Sequence, residues 1–266
     1  MRAAASVQHN QNTETLRILV VIPARYNSSR LPGKPLAMIV GRSMIQRVYE
    51  QVLKCKGVDH VLVATDDDRI VSAVTLFGGQ VARTSSAHQS GTSRCAEVAA
   101  KLHGKYDVLI NVQGDEPFIA PEQVERIIRC FDDSSVTIAT LIKQITMPSD
   151  LTNPNVVKAV VGTSNQALYF SRSALPHLRG IPEPDWYTTG IFFKHIGIYG
   201  YRTDILQQLV QLPENNLEQA ESLEQLRWLA NGFRIYAAIT SEETMSIDTQ
   251  EDLDKGIRYA AENPER

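Results

Sequence analysis

Residues 18–22 form an uninterrupted apolar run rich in β-branched side chains. Such a run, with no polar alternation, reads as a strand buried on both faces, as in a parallel sheet. Similar runs recur at His60–Thr65 and 108–112, and shorter strand-like segments lie at 80–83 and 136–141. Between them apolar residues repeat at helical spacing. Met44, Ile45, Val48 and Val52 follow Ser43, a candidate N-cap. Ile70, Val71 and Val74 follow Asp66-Asp67-Asp68, which reads as a cap with an acidic first turn rather than a metal site, and Gly78-Gly79 ends that helix. Further helices are predicted through Arg94, Glu97, Val98 and Leu102 and over 122–131. The βαβα alternation from residue 17 to about 145 predicts an α/β fold with a doubly wound, mostly parallel sheet.

From Met147 the rhythm breaks. Asn153-Pro154-Asn155 is turn material, and 156–161 and Ala167–Ser171 read as an antiparallel pair. Pro176, Pro182 and Pro184 mark an irregular connection to a strand over 194–201. The stretch 147–202 is therefore predicted to be an antiparallel insertion that carries substrate contacts and a dimer surface. Residues 217–229 read as one amphipathic helix, with Glu218, Glu221 and Glu224 on a solvated face. A strand at 234–238 precedes a last helix capped by Thr249 with Asp252 at N3, which leaves Asp248 outside the helix and free to bind a cation. Residues 1–15 are polar and aperiodic and read as a disordered tail, and 16–266 read as one domain.

Composition narrows the function. A net charge of −3 gives no basis for general nucleic-acid binding. No apolar run approaches the roughly 20 residues of a membrane helix. Three cysteines, Cys55, Cys95 and Cys130, read as reduced thiols of a cytoplasmic protein.

Against that acidic balance, the segment after the first strand is locally basic. Pro23-Ala24-Arg25 ends the strand, Asn27-Ser28-Ser29 is a turn, and Arg25, Arg30 and Lys34 bring three cations within ten residues. A cationic, donor-rich loop at the carboxyl end of a buried strand suits phosphate. It is neither a Walker A motif, because Pro35 follows Gly33-Lys34, nor a dinucleotide fingerprint. A second polar loop, Ala87-His88-Gln89-Ser90-Gly91-Thr92-Ser93-Arg94, leads into a helix, where Thr92 or Ser93 could serve as the cap. A third, Gln113-Gly114-Asp115-Glu116-Pro117, places Gly114 for close backbone approach and Asp115 at a strand's carboxyl end.

The string Pro-Ala-Arg-x-x-Ser-x-Arg-Leu-Pro-Gly-Lys-Pro-Leu (23–36) resembles the activation loop of the 3-deoxy-manno-octulosonate cytidylyltransferase family, the CMP-Kdo synthetases. His-Gln-Ser-Gly-Thr-x-Arg (88–94), Asn-Val-Gln-Gly-Asp-Glu-Pro (111–117), Tyr-Phe-Ser-Arg (169–172), His-Ile-Gly-Ile-Tyr-Gly-Tyr (195–201) and Leu-Glu-Gln-Leu-Arg (223–227) match the same family in order. Near Asp248 the chain has Ile247 and Gln250 where the family's usual string has Val and Pro. The resemblance implies a nucleotide-diphospho-sugar transferase-like fold and transfer of CMP from CTP to Kdo, in lipopolysaccharide biosynthesis. It implies nucleotide contacts from Ala24, Arg25, Arg30, Lys34, Ser90, Arg94 and Gln113, with Arg25, Lys34 and Asp115 catalytic. Gln113, Arg172, His195, Tyr199, Glu224 and Gln225 would place the acid sugar, Asp115 and Asp248 would hold Mg²⁺, and the enzyme would be a homodimer. A cytidylyltransferase for another acid sugar, of the sialic-acid type, and a non-catalytic nucleotide-binding regulator are the competing readings.

Overall fold

In the computed structural model, residues 15–28, 30–243 and 245–265 are described. The predicted tail therefore lies outside the described residues, except for Thr15. Strand β1 (Ile18–Pro23) is followed by a small hairpin, β2 (Met38–Ile39) and β3 (Arg42–Ser43), and by α1 (Met44–Leu53). Next come β4 (His60–Thr65), α2 (Asp68–Leu76), β5 (Val81–Arg83), α3 (Gly91–Lys101), β6 (Val108–Asn111), α4 (Pro121–Cys130) and β7 (Ile138–Gln144). Then α5 (Pro148–Thr152), β8 (Lys158–Val161), β9 (Ala167–Ser171) and β10 (Phe193–Arg202) follow. The chain finishes with α6 (Thr203–Leu209), α7 (Asn216–Glu221), α8 (Gln225–Ala230), β11 (Tyr236–Ile239) and α9 (Gln250–Glu262).

The main sheet has the order β11-β7-β10-β6-β1-β4-β5. Strands β6, β1, β4 and β5 run parallel, as do β7 and β11. Alternation along β1 explains why it is apolar throughout. Ile18, Val20 and Ile22 face one core with Ile45 and Val48 of α1 and Val124 and Ile127 of α4. Leu19 and Val21 face the other, with Cys95 and Val98 of α3 and Leu226 and Trp228 of α8. Helices on both faces leave a strand no polar side. At about 25 cal/mol per Å² of apolar area, burial on both faces holds β1 firmly in the centre of the fold.

Ser43 caps α1 by accepting from the Gln46 N–H, and Asp67 caps α2 through the Arg69 N–H, as the sequence predicts. The three cysteines are free. Two expectations need correction. Strand β10, grouped with the insertion from sequence, runs through the middle of the main sheet, antiparallel to both β6 and β7. The β8–β9 hairpin branches from the same sheet through pairing of β8 with the start of β10, and a small core of Ile145, Leu151, Trp186 and Phe192 lies beside it. The single helix expected over 217–229 is two: Ser222 takes a left-handed conformation (φ 52°) and separates α7 from α8. Its acidic residues are not a solvated face, since Glu218 pairs with Arg227 at 2.5 Å and Glu221 accepts from the Ser171 hydroxyl at 2.6 Å.

Candidate active site

The carboxyl ends of β1 and β6 meet at a cavity of about 350 Å³. The chain approaches it closely there: a Cβ on Gly114 would lie 2.8 Å from the Pro23 carbonyl oxygen, so only glycine fits. The basic loop turns through Gly33 (φ 70°) into a 3₁₀ turn over Lys34–Leu36, with Pro35 buried beneath it. That turn aims Lys34 across the cavity. Its Nζ donates to Asp115 Oδ2 at 2.6 Å and to Asp248 Oδ1 at 2.9 Å. Arg30 reaches the same Asp248 oxygen at 3.2 Å, from a more exposed position. Burial by itself lowers the Lys34 pKa, but Asp115 and Asp248 outweigh it and hold the ammonium above its ordinary value.

Asp248 is brought there by a third core. Ile247 and Leu253 pack with Leu31, Met44 and Phe118, fastening the start of α9 under the basic loop. Thr249 and Asp252 form a reciprocal cap, so the Asp248 carboxylate is spared for the cavity. Asp115 and Glu116 are unlike neighbours. Asp115 opens to the cavity, whereas Glu116 is buried and unpaired at one oxygen, and burial plus the nearby Asp115 charge push its pKa to about 8.

Arg25 gives one donor to the His88 carbonyl at 2.6 Å and also lines the cavity. Burial, followed by the neighbouring Arg94 charge, lowers its pKa. The His88 ring lies 2.5 Å from Glu97, whose pKa falls to about 2 under hydrogen bonds from Lys101, Ser85 and His88 that outweigh desolvation. The second polar loop is thereby fixed at His88 through both backbone and ring.

Residues 19–239 match the family model described as Cytidylyltransferase. A 3-deoxy-manno-octulosonate cytidylyltransferase of Parabacteroides distasonis is 51% identical over 92% of this chain and 99% of its own length. One from Cytophaga hutchinsonii is 52% identical over 91% and 96%. The chain belongs to this cytidylyltransferase family. A solved CMP:2-keto-3-deoxy-manno-octonic acid synthetase complexed with CTP superposes with a TM-score of 0.86 at 46% identity, covering 92% of this chain and 99% of that one.

Among the residues the family resemblance singles out, Ala24, Arg25, Arg30, Lys34, Gln113, Asp115 and Asp248 line this one cavity. Gln113 also donates to the Gly197 carbonyl at 3.2 Å, joining β6 to the bulge in β10. Arg94 lies behind the cavity, 1% exposed, bonded to the Thr84 hydroxyl and paired with Asp66 at 2.9 Å. Ser90 is the cap of α3, where Thr92 or Ser93 was expected.

The sugar-side residues form a second group that does not line the cavity. His195 meets the Thr140 hydroxyl at 2.9 Å, and burial lowers its pKa to about 4. The Tyr199 ring lies beside it, with a buried hydroxyl lacking a partner. Gln225 is buried at the start of α8. Arg172 turns away, donating to the Glu221 and Pro154 carbonyls at 2.7 and 3.0 Å. Glu224 accepts from Ser90 and Thr92. Sequence reasoning took Thr92 for a possible cap and Asn27 and Ser28 for turn material; the last two line the cavity, and their place inside the basic loop was the available signal.

Proposed function

We propose that this chain transfers CMP from CTP to Kdo, giving CMP-Kdo and pyrophosphate for lipopolysaccharide biosynthesis. The observation that carries the reading is the 0.86 superposition on a CTP-bound synthetase across nine-tenths of both chains. The Kdo name recurs among relatives 46–52% identical, which favours Kdo over another acid sugar. A purely regulatory role is disfavoured by the cavity itself, since a nucleotide sensor has no use for two carboxylates beside a lysine.

The reaction forms a bond from the sugar's anomeric oxygen to the α-phosphorus and breaks the bond to pyrophosphate, which leaves with the electron pair. Nucleotidyl transfer of this kind needs alignment and charge neutralisation more than covalent catalysis. Arg25, Arg30 and Lys34 neutralise the triphosphate, and Lys34 stabilises charge gathering on the leaving pyrophosphate. The Ala24 backbone, Ser90 and Gln113 orient the nucleotide, and Arg94 supports it from behind. Gln113, His195, Tyr199, Glu224 and Gln225 place the acid sugar, and Arg172 suits its carboxylate if freed from its carbonyl partners.

Asp115 and Asp248 are the residues that would hold Mg²⁺. Both already converge on one cation, the Lys34 ammonium. Among the described residues no cluster of three or more His, Cys, Asp or Glu gathers, which fits an ion that takes one or two carboxylates and completes its shell with phosphate oxygens and water. When bound, the ion supplies charge neutralisation and alignment of phosphate oxygens. Among the described residues no helix is long and apolar enough to cross a membrane. Leu168, Ile181 and Ile191 are exposed on the insertion, and the family resemblance makes a second copy of the chain the expected partner.

Pyrophosphate release with CTP, Mg²⁺ and a panel of acid sugars tests the reading. Release with Kdo above all others is expected; release with a sialic acid instead, or with none, would overturn it.

A further inference from the structure

Glu224 is held from across the fold. Its Oε2 accepts from the Thr92 hydroxyl at 2.6 Å and its Oε1 from the Ser90 hydroxyl at 3.1 Å. Ser90 can do this while capping α3, because a hydroxyl donates one hydrogen and still accepts from the Ser93 N–H. Thr92 is 4% exposed, and Tyr201, fully buried, faces it. Valine has the same shape as threonine and would fill this buried volume equally well, so packing alone does not call for the hydroxyl.

The two ends of this contact belong to different halves of the site. On one side Gly91, between the two hydroxyl residues, lines the phosphate cavity. On the other, Glu224 begins the α8 turn, where Trp228 packs edge-on against Tyr199 and Tyr201. Just before it, α7 buries no residue and ends at left-handed Ser222, whereas Leu223, Gln225 and Leu226 around Glu224 are buried, so packing anchors the backbone there and the two hydroxyls fix the direction of the carboxylate. Burial raises the Glu224 pKa, and the hydrogen bonds from Thr92 and Ser90 oppose it by favouring the charged carboxylate. Each oxygen keeps a free lone pair after the hydroxyl is bound, available to a substrate hydroxyl.

We propose that Thr92, assisted by Ser90, is a positioning residue: its hydroxyl latches Glu224 to the N-terminal end of α3 and so fixes the acid-sugar segment relative to the phosphate loop. This rests on the reading that the site takes CTP and Kdo.

Thr92→Val removes the donor and keeps the shape, and Thr92→Ser keeps the donor. In Thr92→Val the KM for Kdo should rise about tenfold, as for one lost hydrogen bond to a charged group, with the KM for CTP within about twofold. Thr92→Ser should restore the wild-type Kdo value, a rescue that a packing role would not predict. In Thr92→Val plus Glu224→Gln the two effects should be less than additive. Hydrogen exchange over 216–230, measured without substrate, should quicken in Thr92→Val and not in Thr92→Ser. Unchanged exchange, or equal losses toward CTP and Kdo, would overturn the latch. If Thr92→Val does not fold, Ser90→Ala with Thr92→Ser carries the exchange test. Wild-type enzyme inert toward Kdo, with exchange still loosened in the valine variant, would sink the substrate reading and leave the latch standing.

Discussion

Asp115 and Asp248, far apart in the chain, share a single ammonium: Lys34 lies 2.6 Å from one carboxylate and 2.9 Å from the other. The backbone reinforces the pairing, because the Ile247 N–H donates to the Asp115 carbonyl at 2.9 Å. The loop after β6 and the entry to α9 are thus tied together at Asp115 itself and one residue before Asp248. Two anions held this close in a partly buried site repel each other unless a cation stands between them. The cation present is a lysine on a loop, which a triphosphate can draw away.

Lys34→Ala should affect turnover much more than folding: the carboxylates it leaves facing each other cost some Tm, but Arg30 still reaches Asp248 and both groups are partly exposed. Removing a fixed cation at a reacting phosphate typically costs roughly 10²–10³ in rate. The loop contributes Leu31 and Pro35 to packing, and the Lys34 ammonium takes no part in that apolar contact. Turnover and Tm of the variant are the measurements. A sharp fall in Tm with near-normal turnover would reassign Lys34 as a structural ion-pair partner.

Much of this architecture is legible in the sequence. The runs at β1, β4 and β6 announce strands buried on both faces, and Ser43 and Thr249 announce helix starts, because these signals are local. The position of β10 is not legible, since an apolar strand does not name its neighbours, and its place between β6 and β7 depends on long-range pairing. The cavity residues Arg25, Lys34, Gln113 and Asp115 stand at strand ends and in loops, where local signals concentrate. The Glu224 partners do not, being hydroxyls 132 and 134 residues away. The break at Ser222 is hidden for another reason: glycine or asparagine usually marks a left-handed residue, and serine does not.

That exception is itself testable. A non-glycine residue in the left-handed region carries strain of about 1–2 kcal/mol, and glycine loses part of that gain to its freer unfolded chain. Ser222→Gly should stabilise the protein by about 0.5–1 kcal/mol, or roughly 1–4 °C in Tm for a chain of this size. A lower Tm would mean that the serine side chain has a stabilising role outweighing its backbone strain.

Glu116 should make stability depend on pH in a definite direction. Its pKa is raised from 4.5 to about 8, chiefly by burial. The folded state therefore keeps a proton that the unfolded state releases above its ordinary pKa. Its contribution is fully present below about pH 4.5, is lost as pH rises through about 8, and levels off beyond. Glu116→Gln is neutral throughout, so its Tm relative to the wild type should climb between pH 5 and 8.5, measured without divalent metal. A flat difference across that range would show that Glu116 is ionised in the fold.

The two carboxylates can be separated from the lysine by a double-mutant cycle. Asparagine caps helix starts about as well as aspartate, so if Asp115 and Asp248 are only turn residues, each change to Asn should be mild and the pair additive. If they serve only to hold Lys34, each loss should resemble that of Lys34→Ala and ignore Mg²⁺. If they hold one Mg²⁺ with CTP, turnover should collapse in Asp115→Asn and in Asp248→Asn, and the double variant should be little worse, because groups acting on one ion are non-additive. Raising Mg²⁺ should then partly restore either single variant and leave Lys34→Ala unchanged. Log turnover across the cycle at several Mg²⁺ concentrations distinguishes the three cases. Direct titration of Mg²⁺ into the CTP-bound protein gives a second reading, independent of rate. Losses that Mg²⁺ does not relieve, with unaltered Mg²⁺ binding, would remove both aspartates from the metal site and leave them as partners of Lys34 if severe, or as turn residues if mild and additive.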